Sequence, residues 1–214
     1  MPTLLCFGDS NTWGAPATGV IGAPGLARRF GPGVRWPSVC ARALGEGWEL
    51  VEEGLPGRTA QFEDPVMGAH MDGRPALRMA LNSHGPLDVL AIMLGTNDAK
   101  CRFAPTPKRI TAGIAGLVDV ARSRDQQDRH GGFSILLICP PIVEEVGPFA
   151  AEFHGATEAM TGLAEEYAAL AHANGCGFLD ANDVIKVSPL DGIHFNEPEH
   201  DALGQAVAKA ILAL

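Results

Sequence analysis

The stretch "LLCFGDSNTWG", residues 4–14, passes abruptly from apolar residues into glycine, aspartate and serine. This pattern predicts a buried strand that ends in a turn, with Ser10 at the start of the next helix. Ligands of open α/β sheets bind where the carboxyl ends of parallel strands meet the free N–H groups of following helices. Ser10 is therefore a candidate nucleophile that needs partners from the rest of the chain.

Strand-like runs recur along the chain, and helical stretches separate them. The runs are TLLCF (3–7), WELVEE (48–53), DVLAIML (88–94), FSILLIC (133–139) and GFLD (177–180). This alternation predicts an α/β fold with a parallel sheet of five strands, covered by helices on both faces. A length of 214 residues with 46% apolar content fits one domain, residues 1–214.

Helices are predicted from their end signals and apolar periodicity. In "TPKRITAGIAGLVDVARSR", Thr106 is placed to cap the N-terminus and Pro107 to occupy the first helical position. Further helices are expected over residues 36–45, 152–174 and 199–213. The Gly/Pro-rich segment of residues 14–33 is too long for a plain βα connection, and we expect it to line a site or an interface.

Charge and composition exclude several classes of partner. A formal net charge of −9 repels nucleic acid and anionic membranes, and no stripe of basic residues offsets it locally. No window approaches the roughly 18 to 20 apolar residues of a membrane span, and the first residues lack the basic region of a signal peptide. Five cysteines without paired spacing favour reduced thiols in the cytoplasm. A small, neutral substrate is expected.

Partners for Ser10 occur near the C-terminus, in "PLDGIHFNEPEHDALG". Asp191 precedes His194 by three residues, a spacing at which a carboxylate can reach the imidazole Nδ1. A serine hydroxyl needs an imidazole to take its proton, and the imidazole needs a carboxylate to hold its tautomer. By itself this motif is equally typical of a helix cap beside a surface histidine.

Two more stretches follow predicted strands and so reach the same sheet edge. They are "EEGLPGRTA" (52–60) and "MLGTNDAK" (93–100). The N–H of Gly57 and the amide of Asn97, with the N–H of Ser10, are suitable donors to a tetrahedral oxyanion, worth ~3 kcal/mol each. Taken singly, Gly57 is explained by a turn and Asn97 by a helix cap. The combination of four stretches in one order favours catalysis.

Together these motifs resemble those of the SGNH hydrolases, the GDSL esterase/lipase superfamily, from the first strand to the last helix. By this resemblance, Ser10 in "FGDSNTWG" is the nucleophile, and Asp191 and His194 in "DGIH" complete a triad. Gly57 in "GLPGRT" and Asn97 in "GTND" correspond to the oxyanion donors.

The stretches "CFGDSNTWG", "RFGPGVRWPSV", "EEGLPGRT", "IMLGTNDAK" and "DGIHF" are more narrowly similar to a bacterial arylesterase and acyltransferase branch. This branch implies a flavodoxin-like three-layer αβα sandwich. It also implies cofactor-free hydrolysis of short acyl esters through an acyl-enzyme, and in some members acyl transfer to alcohols or peroxide. With the long loop, it implies a homo-oligomer.

Other residues are predicted around this centre. Six are placed to contact substrate: Asn11, Trp13, Ala15, Phe153, Ile193 and Phe195. Asn11 and Ala15 stand where relatives carry bulkier apolar groups, which predicts a wider and wetter pocket mouth. Asp9 and Asp98 are interpreted as structural acceptors of backbone N–H groups. Lys100 is interpreted as a solvated surface lysine, with a position at the pocket rim as the alternative.

Two alternatives stay open from the sequence. Asp9, Asp98 and His194 are ligand types that a metal-dependent phosphoesterase uses, although its sites usually need several histidines. A flavodoxin-like module that binds a nucleotide or flavin is the second alternative, although no G-x-x-x-x-G-K-[ST] or G-x-G-x-x-G motif is present. The chain also lacks G-x-S-x-G, which excludes the α/β-hydrolase elbow. No metal site is expected.

Overall fold

Five parallel strands form one sheet in the computed structural model, which describes residues 1–20 and 28–214. They are β1 (Thr3–Gly8), β2 (Glu49–Gly54), β3 (Val89–Met93), β4 (Ser134–Cys139) and β5 (Gly177–Asp180). Their spatial order is β2-β1-β3-β4-β5. Leu5 in β1 pairs with Val51 in β2 on one side and with Leu90 in β3 on the other. The strand order therefore reverses between β1 and β3, as in flavodoxin-like folds.

Both faces of the sheet are buried, because successive side chains of a strand point to opposite faces. Leu5 and Phe7 of β1 pack in one apolar cluster, whereas Leu4 and Cys6 pack in a second cluster on the other face. The same alternation continues along β3 and β4. The continuous apolar runs in the sequence are thus explained by a sheet covered on both sides.

Helices cover both faces of the sheet. Within the described residues they are α1 (Ser10–Trp13), α2 (Trp36–Leu44), α3 (Gly73–Ser83), α4 (Pro107–Arg122), α5 (Arg124–His130), α6 (Ala156–Ala159), α7 (Leu163–Ala173) and α8 (Glu197–Ile211). Helices α2 and α8 pack together on one face, and α3, α4 and α7 pack on the other. None of the described helices has the length and apolar character needed to cross a membrane.

The observed helices confirm some sequence predictions and correct others. The Thr106 side chain accepts from Arg109 N at the start of α4, as predicted. The single helix predicted over residues 152–174 is wrong, because the segment forms α6 and α7 with a break at Gly162, whose φ is +81°. Helix α3 was not predicted. Residues 21–27 of the predicted functional loop, 14–33, lie outside the described residues.

Loops after β1, β2 and β3 gather at one edge of the sheet beside the order reversal. The close approach of α1 to the end of β2 requires a glycine at position 54, because a Cβ there would lie 2.6 Å from the Cα of Trp13 in α1. The absence of a side chain lets α1 pack directly on the end of β2. Ligand sites of open α/β folds occur at this edge.

Candidate active site

Ser10 is the first residue of the short helix α1, immediately after β1. The Asp9 side chain caps this helix by accepting a hydrogen bond from Asn11 N at 2.9 Å. Gly14 ends the helix in the left-handed conformation, with φ of +89°. The turn holds the Ser10 side chain at the carboxyl end of β1, where it lines a cavity.

A continuous chain of three polar side chains runs from Ser10 to Asp191. His194 Nε2 lies 3.1 Å from Ser10 Oγ, and His194 Nδ1 lies 2.7 Å from Asp191 Oδ2. Both distances fit hydrogen bonds. In this arrangement, Asp191 accepts from Nδ1–H and Nε2 is free to accept the serine proton.

Asp191 is fixed by several further hydrogen bonds. Its Oδ1 accepts from the N–H groups of Ile193 and His194, and its Oδ2 accepts from Thr18 N at 2.9 Å. Burial alone would raise the pKa of Asp191. The hydrogen bonds and charge of His194, with the backbone N–H of Thr18, hold that pKa below its ordinary value. A carboxylate is therefore available to orient the imidazole.

Three candidate N–H donors come from residues that line one cavity: the backbone N–H groups of Ser10 and Gly57 and the Asn97 side-chain amide. Gly57 has φ of +90°, a conformation that favours glycine, and it lines the cavity with Asn97. The backbone N–H groups of Ser10 and Gly57 donate to no other described residue. The Asn97 Nδ2 lies 3.5 Å from Oδ2 of Asp9, the residue that precedes Ser10. These donors can converge on an oxygen bound beside Ser10.

Two buried carboxyl groups lie beneath the donors. Burial raises the pKa of Asp9 to about 6, although the Asn11 N–H and the charges of His194, Arg58 and Lys100 oppose the rise. Burial, with the neighbouring charge of Asp9, raises the pKa of Asp98 to about 7. Both accept backbone N–H groups. Asp9 accepts from Asn11 in the loop that it starts, as the sequence predicted, whereas Asp98 accepts from Ala60 in the separate loop after β2.

The cavity above Ser10 has a volume of about 230 Å³. Ser10, Gly57, Asn97 and His194 form its floor. Its walls are mainly apolar and come from Pro56, Met67, Phe149, Phe153 and Ile193. Such a cavity is smaller than the ~300 to 1,000 Å³ typical of sites for drug-sized ligands. Its volume therefore suits a small molecule bound beside Ser10.

The family comparison agrees with this geometry. The profile of the GDSL-like lipase/acylhydrolase family matches residues 6–202, which include every residue of the cavity floor. The chain belongs to the GDSL-like lipase/acylhydrolase family. No match was found among curated protein sequences.

Solved structures place this GDSL-like hydrolase among carboxylic ester hydrolases of the SGNH fold. It is similar to the inhibitor-bound M. smegmatis aryl esterase, with 37% identity, a TM-score of 0.91 and full coverage of both chains. It is also similar to Est24, a carbohydrate acetylesterase from Sinorhizobium meliloti, with 36% identity and a TM-score of 0.89 over 100% and 99% of the two chains. A Veillonella parvula lipolytic protein at 14% identity and TM-score 0.69, over 100% of both chains, shares the fold.

Two of the six predicted substrate contacts of this hydrolase reach the cavity. Phe153 and Ile193 line it. Asn11 instead turns its Nδ2 to the backbone oxygen of Ile193, at 2.9 Å, and so anchors the loop that carries His194. Phe195 is fully buried in the apolar cluster that includes Leu4.

Trp13 and Ala15 also lie outside the cavity lining. The guanidinium carbon of Arg29 stands 5.5 Å from the centre of the Trp13 ring. Ala15 N donates to Ser10 O at 2.9 Å, so Ala15 closes the α1 turn. Trp13, Ala15 and Asn11 therefore stabilise the loops around the cavity and do not form its wall. Local hydrogen bonds hold Asn11 and Ala15, and the contact with Arg29 holds Trp13.

Four lining residues of this hydrolase were missed from the sequence: Pro56, Met67, Phe149 and Glu152. Phe149 and Glu152 belong to the loop after β4, and the position of that loop at a strand's carboxyl end was the available signal. This signal was missed because the sequence predicted a helix that begins at residue 152, within that loop. The interpretation of Lys100 as solvated is also wrong, because Lys100 lines the cavity and is only 4% exposed.

Among the described residues, no group of three His, Cys, Asp or Glu side chains is arranged to hold a metal ion. In particular, the carboxyl oxygens of Asp98 face the N–H of Ala60. The site chemistry visible in this hydrolase is that of a hydroxyl, an imidazole, a carboxylate and a set of N–H donors.

Proposed function

We propose that this SGNH hydrolase is a serine esterase that cleaves short-chain aryl or alkyl esters through an acyl-enzyme. The observation that carries the proposal is the His194 ring, which lies within hydrogen-bond distance of Ser10 Oγ through Nε2 and of Asp191 Oδ2 through Nδ1. This arrangement converts an ordinary hydroxyl into a nucleophile.

In the proposed reaction, Ser10 Oγ attacks the ester carbonyl carbon while His194 Nε2 takes the hydroxyl proton. The bond from carbon to the leaving oxygen then breaks, and His194 gives that proton to the departing alcohol. A water molecule attacks the acyl-Ser10 ester, again with His194 as base, and releases the carboxylic acid and Ser10. Asp191 keeps the imidazole oriented throughout. No cofactor takes part in these steps.

The negative oxygen of each tetrahedral intermediate is assigned to the N–H groups of Ser10 and Gly57 and to the Asn97 amide. Donors of this kind contribute ~3 kcal/mol each to the transition state. Their support is the shared position on the cavity floor and the absence of competing acceptors for the two backbone N–H groups among the described residues.

The small size of the cavity supports short acyl groups. A volume of about 230 Å³ lies below the ~300 to 1,000 Å³ typical of sites for drug-sized ligands, and Phe153 and Ile193 are among the apolar residues that line it. The printed names of the similar structures, an aryl esterase and a carbohydrate acetylesterase, point in the same direction. We propose acetyl and similarly short acyl esters as the substrates.

Active-site labelling tests this function. The purified protein is exposed briefly to an organophosphonate ester, its intact mass is measured, and the adduct is mapped by peptide analysis. One adduct on Ser10 is expected, together with hydrolysis of 4-nitrophenyl acetate that the adduct abolishes. An adduct elsewhere, or full turnover after stoichiometric labelling of Ser10, would contradict the proposal.

Acyl transfer to alcohols or peroxide is a second proposed activity of the same acyl-enzyme. Its support is the apolar wall near the imidazole, where the Phe149 ring meets the His194 ring edge to face at 5.9 Å. An apolar wall favours an alcohol over water as the acceptor. Product analysis with an ester and a primary alcohol in water tests this, and release of free acid alone would contradict it.

The molecular setting is also a proposal. We propose one domain over residues 1–214, a homo-oligomer, and a reducing compartment such as the cytoplasm. The oligomer is supported by exposed apolar side chains, Val20, Val146 and Leu190, on loops beside Asp191. The compartment is supported by the five cysteines, all of which are free thiols.

A further inference from the structure

Lys100 is a buried cation in the wall of the cavity and has no role in the proposed ester cleavage. Its side chain is 5% exposed, and its Nζ forms no hydrogen bond with an oxygen or nitrogen of the described residues. The atoms near Nζ are Met67 Sδ at 3.6 Å, Asp64 Oδ2 at 3.7 Å and Glu152 Oε2 at 3.9 Å. A buried ammonium with unused donors is costly unless a further acceptor binds it.

Carboxylates already face Lys100 and its neighbouring cation Arg102. Arg102 lies 3.1 Å from Asp64 Oδ2 and 2.8 Å from Glu152 Oε2, so two cations face two carboxylates. Burial, with the charge of Arg102, lowers the pKa of Lys100, and the charges of Glu152, Asp64 and Asp9 oppose this. A ligand carboxylate would leave the group with net negative charge. A neutral oxygen, as in a hydroxyl or ketone, uses the free donors without that penalty.

The position of Lys100 identifies the part of the substrate that it faces. Lys100 follows the short turn of Asn97–Ala99, and Met67, which its Nζ contacts, packs against Gly57. Lys100 therefore stands on the side of the oxyanion donors. The leaving alcohol must lie on the side of His194, because His194 protonates it. The acyl chain is the part that remains for Lys100.

We propose that Lys100 selects acyl groups that carry a neutral oxygen, such as hydroxyacyl esters, by hydrogen-bonding that oxygen in the cavity. This inference rests on the proposed esterase function and extends it to the acyl substrate. Lys100 is a specificity residue in this view, and it takes no part in proton transfer.

An isosteric substrate pair tests the proposal. In 4-nitrophenyl 3-hydroxypropanoate, a hydroxyl replaces the terminal methyl of 4-nitrophenyl butyrate, and each kcat/KM is divided by the alkaline hydrolysis rate of the same ester. We expect wild type to favour the hydroxy ester by ~10-fold, the scale of one hydrogen bond to a charged group. Lys100→Met removes the donors and is expected to abolish the preference. Lys100→Arg is expected to retain part of it.

Controls separate the possible failures. Lys108→Met, on the exposed face of α4, is expected to keep the wild-type ratio. If the normalised kcat/KM of wild type for the hydroxy ester does not exceed that for the butyrate, the proposal is overturned, even if Lys100→Met does not fold. A second pair, 2-hydroxyethyl acetate and propyl acetate, carries the hydroxyl on the alcohol instead. If Lys100 creates a preference within this pair and none between the two nitrophenyl esters, the proposal is also overturned, because Lys100 then binds the alcohol part of the substrate. If the protein hydrolyses neither of the two nitrophenyl esters, the proposed esterase function itself is overturned.

Discussion

As the proposed nucleophile, Ser10 illustrates how strongly a serine hydroxyl depends on its neighbours. Its hydroxyl is a weak nucleophile at neutral pH, and the structure places the His194 imidazole 3.1 Å away. Within the described part of the chain, the backbone N–H groups of Ser10 and Gly57 have no other acceptor. His194 in turn depends on Asp191, which is held by backbone N–H groups of its own loop and by Thr18. The proposed catalytic unit is thus a set of residues whose effects on the rate are not additive.

Removal of Ser10 or of His194 tests this unit directly. We expect Ser10→Ala and His194→Ala each to lower kcat/KM for 4-nitrophenyl acetate by ~10³-fold or more, and the double variant to lose little further activity. Initial rates with purified variants measure this. Near-normal turnover by Ser10→Ala, or losses that multiply in the double variant, would contradict the assignment.

Asp98 gives a pH prediction at the same scale. Its folded pKa of about 7 exceeds that of an unfolded aspartate, so the folded protein binds the extra proton between about pH 4 and pH 7. The free energy of unfolding therefore falls as pH rises through this range. In wild type, Asp98 is expected to lower the free energy of unfolding by an amount on the order of 1 to 4 kcal/mol over this range. We expect Asp98→Asn to lack this decrease, so the two proteins should differ by that amount in how far the free energy of unfolding changes with pH.

Urea unfolding from about pH 4 to about pH 8 measures this difference. The comparison of variants is needed because burial lowers the pKa of His200 to about 4, which adds an opposite slope. Asp119→Asn, on the exposed face of α4, is expected to keep the wild-type slope. Equal slopes for Asp98→Asn and wild type would show that burial of the Asp98 carboxyl does not govern acid stability.

Two glycines within helices, Gly204 in α8 and Gly116 in α4, differ in how closely a neighbouring helix approaches them. Gly204 in α8 faces α2, where an added Cβ would lie 2.5 Å from Val39 Cβ and 2.8 Å from the backbone oxygen of Trp36. Gly116 in α4 has ordinary space, with Arg74 Cδ at 3.6 Å. Both are interior helix positions, so alanine improves helix propensity equally at each. Only the tertiary contact separates them.

This contrast predicts opposite effects from the same substitution. Gly116→Ala is expected to raise the free energy of unfolding by ~0.5 to 1 kcal/mol. Gly204→Ala is expected to lower it by ~1 to 3 kcal/mol, because α8 must move away from α2. Urea denaturation of both variants measures these changes. Stabilisation by Gly204→Ala would mean that the α2 and α8 contact is looser than the structure shows.

The surface of the whole molecule combines a strong negative charge with local apolar exposure. The net charge of −9 favours solubility, yet Val20 is 58% exposed and Leu190 is 51% exposed. Leu190 lies against the Gly19 backbone, so the two exposed side chains belong to neighbouring loops. Neighbouring exposed apolar residues of this kind are typical of contacts between subunits.

Assembly is therefore testable on the intact chain. Light scattering at micromolar concentration is expected to give a multiple of the 22.4 kDa chain mass. Val20→Lys is expected to lower the mass, whereas Leu212→Lys, at the end of α8 and 70% exposed, is expected to leave it unchanged. A wild-type mass of one chain would contradict the proposed homo-oligomer.

Local sequence patterns determined much of the fold. Apolar runs predicted all five strands within about two residues at each end, and Thr106 with Pro107 located the start of α4. These features depend on neighbours in sequence, which a single chain displays. The predicted helix over residues 152–174 failed because Gly162 breaks it with a positive φ, and apolar content alone does not reveal such a break.

The sequence by itself also predicted that Ser10, Asn97 and His194 would meet, because their motifs each follow a strand or a turn that leads to one edge of the sheet, and the three residues line one cavity. Their catalytic roles stay a prediction. Only the tertiary structure decided which side chains enclose the cavity. Lys100 is buried since Asp64 and Glu152, far away in sequence, approach its charge. Burial of a charge depends on such distant partners, and a local pattern carries no record of them.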